Sequence, residues 1–240
     1  ATSYYFNGAN GIQAHAYLQD PDGGNLALQD SIVQNMNRGV GFATYTAHCS
    51  PNGWSRPDFN TSHIAALQQN RKYGLWISNC CETASFGRDN SFSEAALRSR
   101  DNGAIGAIGA SDDTYWDEDY WWTVGLTGSI SASPTYASSY LGLYDRVFHT
   151  HGEDTSEWYI TQGSMLAAGN LAVEASGSSR KHYYWEIYHL MGDPSLMPYF
   201  GIPDPLLVSL EKEVLRMGDE SLLVATEPYA YVALSRDGQL

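Results

Sequence analysis

Two stretches of this chain end in side chains able to do covalent chemistry. The run Gly39-Val40-Gly41-Phe42-Ala43-Thr44-Tyr45-Thr46 closes on Ala47-His48, and the run Tyr73-Gly74-Leu75-Trp76-Ile77-Ser78-Asn79 closes on Cys80-Cys81. A thiolate attacks carbonyl carbon, and an imidazole beside it can take the thiol proton and hand it on. One cysteine and one histidine brought together are therefore the minimum for nucleophilic catalysis. Each run is short, apolar and bounded by polar or glycine residues, the pattern of a strand covered on both faces. Open α/β sheets gather their reactive groups at the carboxyl edge, so His48 and Cys81 are expected to meet there. Backbone N–H groups at Cys81, with the N–H that follows His48, are placed to cradle a developing oxyanion. Side chains alternate across a strand, so Cys80 and Cys81 face opposite ways, and Cys80 is the one expected in the core. Without that meeting, the two are ordinary strand-end residues.

The elements around them predict a mainly parallel sheet with helices on both faces. Asn25 to Asn37 carries Leu26, Ala27, Ile32, Val33 and Met36 near helical spacing, with Gly39 as a stop. The Pro-, Gly-, Ser- and Asn-rich stretch from Cys49 to Asn60 reads as a loop on the rim of a site. Thr61-Ser62 opens a helix. Asn90-Ser91 with Glu94 resembles a capping box, and Gly103 to Ala110 is a third buried strand. Ser111 to Trp122 reads as an aromatic, acidic loop, Tyr159 to Ala175 as a helix with a small-residue face, and Tyr183 to Met191 as a short aromatic helix. Pro198, Pro203 and Pro205 mark a linker. Beyond it, Leu206 to Leu210, Ser221 to Thr226 and Tyr229 to Ser235 alternate like strands.

Composition narrows the function classes. Of 240 residues, 43% are hydrophobic and 17% charged, which makes a folded globular chain. The net charge of −14 argues against a nucleic-acid or anionic-membrane binder, because phosphates need clustered Lys and Arg. No run is long enough to span a membrane. The three cysteines, Cys49, Cys80 and Cys81, are odd in number and two are adjacent, so no disulfide framework is implied. The chain reads as a fragment of a longer protein, ending at a hairpin turn.

The His-then-Cys order, each residue closing a hydrophobic strand, resembles the caspase-like clan of cysteine peptidases. Within it, the chain resembles the gingipain family, its lysine-specific members above all. The resemblance rests on Tyr45-Thr46-Ala47-His48, Ser78-Asn79-Cys80-Cys81-Glu82-Thr83-Ala84, Tyr115-Trp116-Asp117-Glu118-Asp119-Tyr120-Trp121-Trp122, Ala168-Gly169-Asn170-Leu171-Ala172, His182-Tyr183-Tyr184-Trp185-Glu186 and Gly192-Asp193-Pro194-Ser195-Leu196-Met197-Pro198-Tyr199. It covers roughly residues 1–200. It implies a caspase-like α/β catalytic domain over 1–200, its N-terminal part missing, and the start of an immunoglobulin-like β domain over 201–240. The implied activity is that of a secreted or bacterial cell-surface endopeptidase that cuts protein or peptide substrates after a basic residue, lysine before arginine, without an organic cofactor. His48 would be the general acid/base and Cys81 the nucleophile, with the backbone N–H groups of Cys49 and Cys81 as the oxyanion hole. Asp119 would bind the lysine ammonium and Trp116 flank its alkyl stem, a carboxylate and an apolar wall being what such a side chain needs. Thr46, Asn79 and Tyr115 are expected as pocket walls. A structural calcium would take Glu94 and the Phe86 carbonyl, although Glu94 is equally explained as a helix-start carboxylate.

The chain departs from the family twice. Cys49 stands where the family has Gly after its histidine. It would be strained if that position needed φ > 0, and its thiol is available for a disulfide with Cys81. The carboxylate that orients the family's histidine comes from before this chain begins, and Asp20, Asp22 and Asp30 are only local candidates. Three rivals stand beside the peptidase reading. A zinc site of His48, Cys49, Cys80 and Cys81 has suitable ligand types but not the usual spacing. A noncatalytic relative would keep the fold alone, and a sortase-like relative would change the task.

Overall fold

The computed structural model describes residues 14–18, 26–69, 71–125, 130–131, 134–139, 142–149, 152–200, 205–227, 230 and 232–235. The chain divides into two compact units, Ala1–Gly201 and Ile202–Leu240. The first is built on a sheet of four strands in the order β1 (Phe42–Thr46), β5 (Gly74–Asn79), β6 (Ala104–Ala110), β7 (Tyr188–Gly192). The first three run parallel, with Thr46 opposite Asn79, and β7 closes the edge antiparallel.

All six residues of β5 are buried, which explains its unbroken apolar run. Its alternation divides two cores. Leu75 and Ile77 point into one, with Ile108, Trp122, Leu143, Met165 and Tyr184. Trp76 and Cys80 point into the other, with Trp54, Phe59, Ile64, Phe92 and Ile32. The second face is covered by α1 (Leu26–Arg38), α2 (Thr61–Ala66) and α3 (Phe92–Arg98). The first face is covered by α4 (Trp116–Val124), α6 (Leu143–Phe148), α7 (Gln162–Ala175) and α8 (Lys181–Ile187), with the short α5 (Tyr136–Ser139) between α4 and α6 in the chain. Helices on both faces are what the alternating pattern predicts. Of the expected capping box at Ser91 and Glu94, the carboxylate half forms, with Glu94 Oε2 accepting the Ser91 N–H at 3.1 Å, while the Ser91 hydroxyl makes no hydrogen bond.

Three local readings are corrected. The stretch from Cys49 to Asn60 is not a plain loop. It folds as β2 (Cys49–Ser50), β3 (Gly53–Ser55) and β4 (Asp58–Asn60), an antiparallel set. Gly53 allows this with φ +139, and a Cβ there would stand 2.4 Å from Phe59 O. The acidic loop after β6 becomes helical at Trp116, because its aromatic residues find apolar partners on one side. The aromatic helix stops at Ile187, where the chain straightens as β7 and pairs Tyr188 with Ala110; that edge pairing satisfies a backbone that periodicity alone leaves helical.

A column of stacked rings joins these helices to the edge strand. Trp122 stacks on Tyr188 at 4.8 Å and Tyr188 on Tyr184 at 5.3 Å. Gly169 of α7 makes room for it, since a Cβ there would lie 2.0 Å from the Trp122 ring. The Trp122 N–H donates to Asn170 Oδ1 at 3.0 Å.

In the second unit, β8 (Ser209–Leu210) pairs antiparallel with β9 (Val224–Ala225), and the Glu211 N–H extends the ladder to Leu223 O.

Candidate active site

The chain leaves β1, β5 and β6 at the same edge of the sheet, and each exit carries a polar residue of the site. His48 follows β1. Its carbonyl is held by the Tyr45 hydroxyl at 3.1 Å, and Tyr45 is in turn stacked on Trp54 at 5.0 Å. The imidazole is exposed and meets the Trp116 ring edge-to-face at 5.2 Å. Cys81 follows β5. Its thiol is free and half-buried, and the Thr114 N–H donates to its Sγ at 3.3 Å. Among the described residues no hydrogen bond joins Sγ to the His48 ring; the sulfur faces Thr114 instead. The next residue, Glu82, turns the chain through the left-handed region at φ 58, with its N–H on Asp112 O.

The cysteines pair differently from the expectation of a Cys49–Cys81 disulfide or of no disulfide. Cys49 and Cys80 are joined, with Cα atoms 5.6 Å apart, within the usual span of such a bond. The reason is parity. Trp54 donates its indole N–H to Ser78 Oγ, so the face of β5 that holds Trp76, Ser78 and Cys80 lies under the β2–β3 hairpin. That hairpin carries Cys49, whereas Cys81 points to the other face with Asn79. Cys80 is fully buried, and Cys49 is not among the residues at positive φ. The Ser55 N–H donates to His48 O, which makes Cys49 and Trp54 the neighbouring, non-hydrogen-bonded pair of the ladder. The Cys49 N–H therefore points away from β3.

Asp119 lies in the first turns of α4 and is only 4% exposed. Its Oδ1 accepts the hydroxyls of Tyr184 at 2.9 Å and Tyr188 at 3.0 Å, and its Oδ2 accepts that of Thr114 at 2.7 Å. No cation pairs with it among the described residues. Burial raises its pKa to about 6, against the pull of these three hydroxyls. Around it, the Asn79 amide donates to Thr46 Oγ1 at 3.3 Å and to Asp119 O at 2.8 Å, and Asn79 Oδ1 shares the single proton of the Tyr188 hydroxyl with Asp119 Oδ1. The Tyr115 N–H donates to the Tyr184 hydroxyl at 2.9 Å, and the Tyr115 ring lies under the Arg180 guanidinium at 3.9 Å. Arg180 and the Ser178 hydroxyl also hold the buried Glu118 carboxylate. Of the three acids Asp117, Glu118 and Asp119, only Asp117 is exposed.

Asp119, Asn79, Thr46 and Tyr115 thus share one hydrogen-bonded cluster, linked by Thr114 to Cys81, while Trp116 lies against His48. Sequence reasoning does not single out Thr114, Tyr184 or Tyr188. Tyr184 lies within a block of family resemblance, and nothing marks Thr114 in advance. Phe86 and Glu94 are not part of the cluster. The Phe86 ring packs at the surface on His189 at 4.9 Å, and Glu94 caps α3. The Phe86 carbonyl and the Glu94 carboxylate are hard oxygen donors of the kind a structural calcium takes, the rest of its shell of roughly six to eight oxygens coming from other carbonyls and water, and no chemical step is assigned to a metal. Asp30 is exposed on α1 and makes no hydrogen bond to His48 among the described residues, and Asp20 and Asp22 lie outside them. No group of three or more His, Cys, Asp or Glu side chains suited to a metal occurs among the described residues.

A mainly parallel sheet with helices on both faces, and with a histidine and a free cysteine at its carboxyl edge, is the caspase-like arrangement of cysteine peptidases. The family model of peptidase family C25 matches residues 3–199, and the chain belongs to that family. Lys-gingipain from Porphyromonas gingivalis is 36% identical over 248 residues, which is all of this chain but 14% of that protein. Lys-gingipain W83 of the same species is 37% identical, over 99% of this chain and 13% of its own length. A solved structure described only as a protease superposes with a TM-score of 0.73 at 36% identity, covering 87% of this chain and 45% of its own. The Arg-specific cysteine proteinase gingipain R shares the fold at a TM-score of 0.61 and 19% identity, covering 75% and 38%.

Proposed function

We propose that this chain carries the active site of a cysteine endopeptidase that cuts peptide bonds after lysine. The observation that carries the reading is Asp119, a buried carboxylate in contact with three hydroxyls and, among the described residues, with no cation, at the carboxyl edge beside the only free thiol of those residues. Such a group is costly unless something pairs with it, and the ammonium of a substrate lysine supplies the missing charge. Trp116, 59% exposed beside His48, offers the apolar wall for the methylenes. In the reaction, His48 takes the Cys81 proton and the thiolate attacks the scissile carbonyl. The N–H groups of Cys49 and Cys81 receive the oxyanion, the amine leaves with the proton from His48, and water hydrolyses the thioester. Protein substrates met outside the cell fit this role, and no described helix is long and apolar enough to cross a membrane.

The noncatalytic alternative has one observation in its favour: the Cys81 sulfur is engaged by Thr114 and not by His48. Resting geometries often tighten only around substrate. The test is to assay the full-length protein on matched peptides with Lys, Arg or Ala before the scissile bond, with Cys81→Ala as control. Cleavage after Lys that vanishes in the variant supports the proposal. No cleavage by folded, reduced protein supports the noncatalytic reading, and equal cleavage after all three residues removes Asp119 from its role.

A further inference from the structure

Thr114 stands between the thiol and the buried carboxylate and touches both. Its N–H donates to Cys81 Sγ at 3.3 Å, its hydroxyl donates to Asp119 Oδ2 at 2.7 Å, and that hydroxyl oxygen is also 3.8 Å from the sulfur. A hydroxyl has one proton and serves one acceptor at a time. At 2.7 Å against 3.8 Å, Oδ2 and not the sulfur is the acceptor that the hydroxyl serves. Oδ1 already accepts the Tyr184 hydroxyl and is crowded by the Tyr188 hydroxyl, whose proton it shares with Asn79 Oδ1, so an ammonium entering the site donates to Oδ2, the oxygen that holds Thr114. That contact neutralises the carboxylate and makes Oδ2 a poorer acceptor. The thiolate forming at Cys81 then becomes the better one, and a hydroxyl donated to a thiolate is a charge-assisted bond that favours the attacking form of the nucleophile.

We propose that Thr114 is a positioning residue that couples the pocket to the nucleophile: an alkylammonium group at Asp119 releases the Thr114 hydroxyl to Cys81 and makes the sulfur more reactive. The proposal rests on reading Asp119 as the ammonium site. It gives the peptidase a thiol that is most reactive when a lysine side chain is already seated, which deepens its selectivity beyond affinity alone.

The test uses full-length protein, n-butylammonium chloride as the occupant and iodoacetamide as a small probe of Cys81, followed by mass spectrometry at fixed pH and matched ionic strength. Calorimetry measures butylammonium binding in parallel. In wild-type protein, saturating butylammonium should raise the Cys81 alkylation rate about fivefold, within the usual range of site-to-site coupling. Thr114→Ser should keep the acceleration, while Thr114→Val should lose it yet still bind butylammonium. Thr114→Ala takes the place of Thr114→Val if the valine variant does not fold. Failure of wild-type protein to bind butylammonium removes the pocket reading and the coupling with it. Binding without acceleration in wild-type protein, or equal acceleration in the variant lacking the hydroxyl, overturns the coupling and leaves the pocket standing.

Discussion

Replacing Asp119 with Asn separates a binding group from a structural one, because the two roles predict opposite changes in stability. The side chain keeps its shape and loses its charge. In the folded protein burial lifts the carboxyl from 3.8 to about 6. A shift of about two units is worth about 3 kcal/mol. The sign follows from proton linkage. The folded protein holds this proton more tightly than the unfolded chain, so the carboxyl favours folding below pH 3.8. That contribution is lost as the pH rises through about 6, and at neutral pH the ionised group opposes folding. The Asp119→Asn variant escapes that cost. Its amide would also force the three hydroxyls to rearrange, which returns about 1 to 2 kcal/mol. The expected net change at pH 7.5 is a gain of about 1 kcal/mol in urea unfolding. Turnover should move the other way. Losing the partner of a buried ammonium costs about 2 to 4 kcal/mol, so kcat/KM for lysyl peptides should fall roughly 30- to 1000-fold. A variant that loses stability and lysyl turnover in proportion would refute the assignment, since Asp119 would then be a scaffold residue whose charge substrates never meet.

Three further outcomes are expected. The preference for Lys over Ala before the scissile bond should shrink as pH falls through about 6, because protonated Asp119 no longer attracts an ammonium, and KM measured across pH 5 to 8 checks this. Removing the disulfide with Cys49→Ala and Cys80→Ala together should cost about 2 to 4 kcal/mol, given the 31-residue separation it spans, and lower the unfolding midpoint; an unchanged midpoint would show that the loop is held without it. Gly169→Ala should cost about 1 to 3 kcal/mol, because the new Cβ would stand 2.0 Å from a fully buried Trp122 ring, and denaturant unfolding reads the loss directly.

The strand that ends at Cys80-Cys81 is legible because both faces of β5 are buried, so its apolar run is unbroken, whereas β1 before His48 is only partly buried. The burial of Cys80 is legible for the simpler reason that adjacent strand residues face opposite ways. The partner of Cys80 is not, because it depends on the β2–β3 hairpin lying over one face of β5, and a stretch rich in Pro, Gly and Ser does not advertise strands. Asp119 stands out only through its resemblance to a known pocket; by itself Asp117-Glu118-Asp119 reads as a solvated acidic turn. Its partners are hidden by distance along the chain. Tyr184 and Tyr188 reach it across 65 and 69 residues, the first from α8 and the second from an edge strand whose sequence reads as helix. Thr114 is an ordinary polar residue before an aromatic one, and its position is set by the turn after β6.

The disulfide and the free thiol sit one residue apart, and they need opposite redox states. Cys80 must stay oxidised to tie the histidine loop to the strand, while Cys81 must stay reduced to attack. Burial sorts the two: Cys80 is sealed in the aromatic core and Cys81 opens to the site. Cys49, the other half of the tie, is only half-buried, so a reductant meets the disulfide from that side, and an oxidant meets Cys81 as the free thiol. The same chain should tolerate oxidising surroundings and recover from them, with the strength of the reductant, and not merely its presence, deciding whether activity is restored or the loop is cut loose.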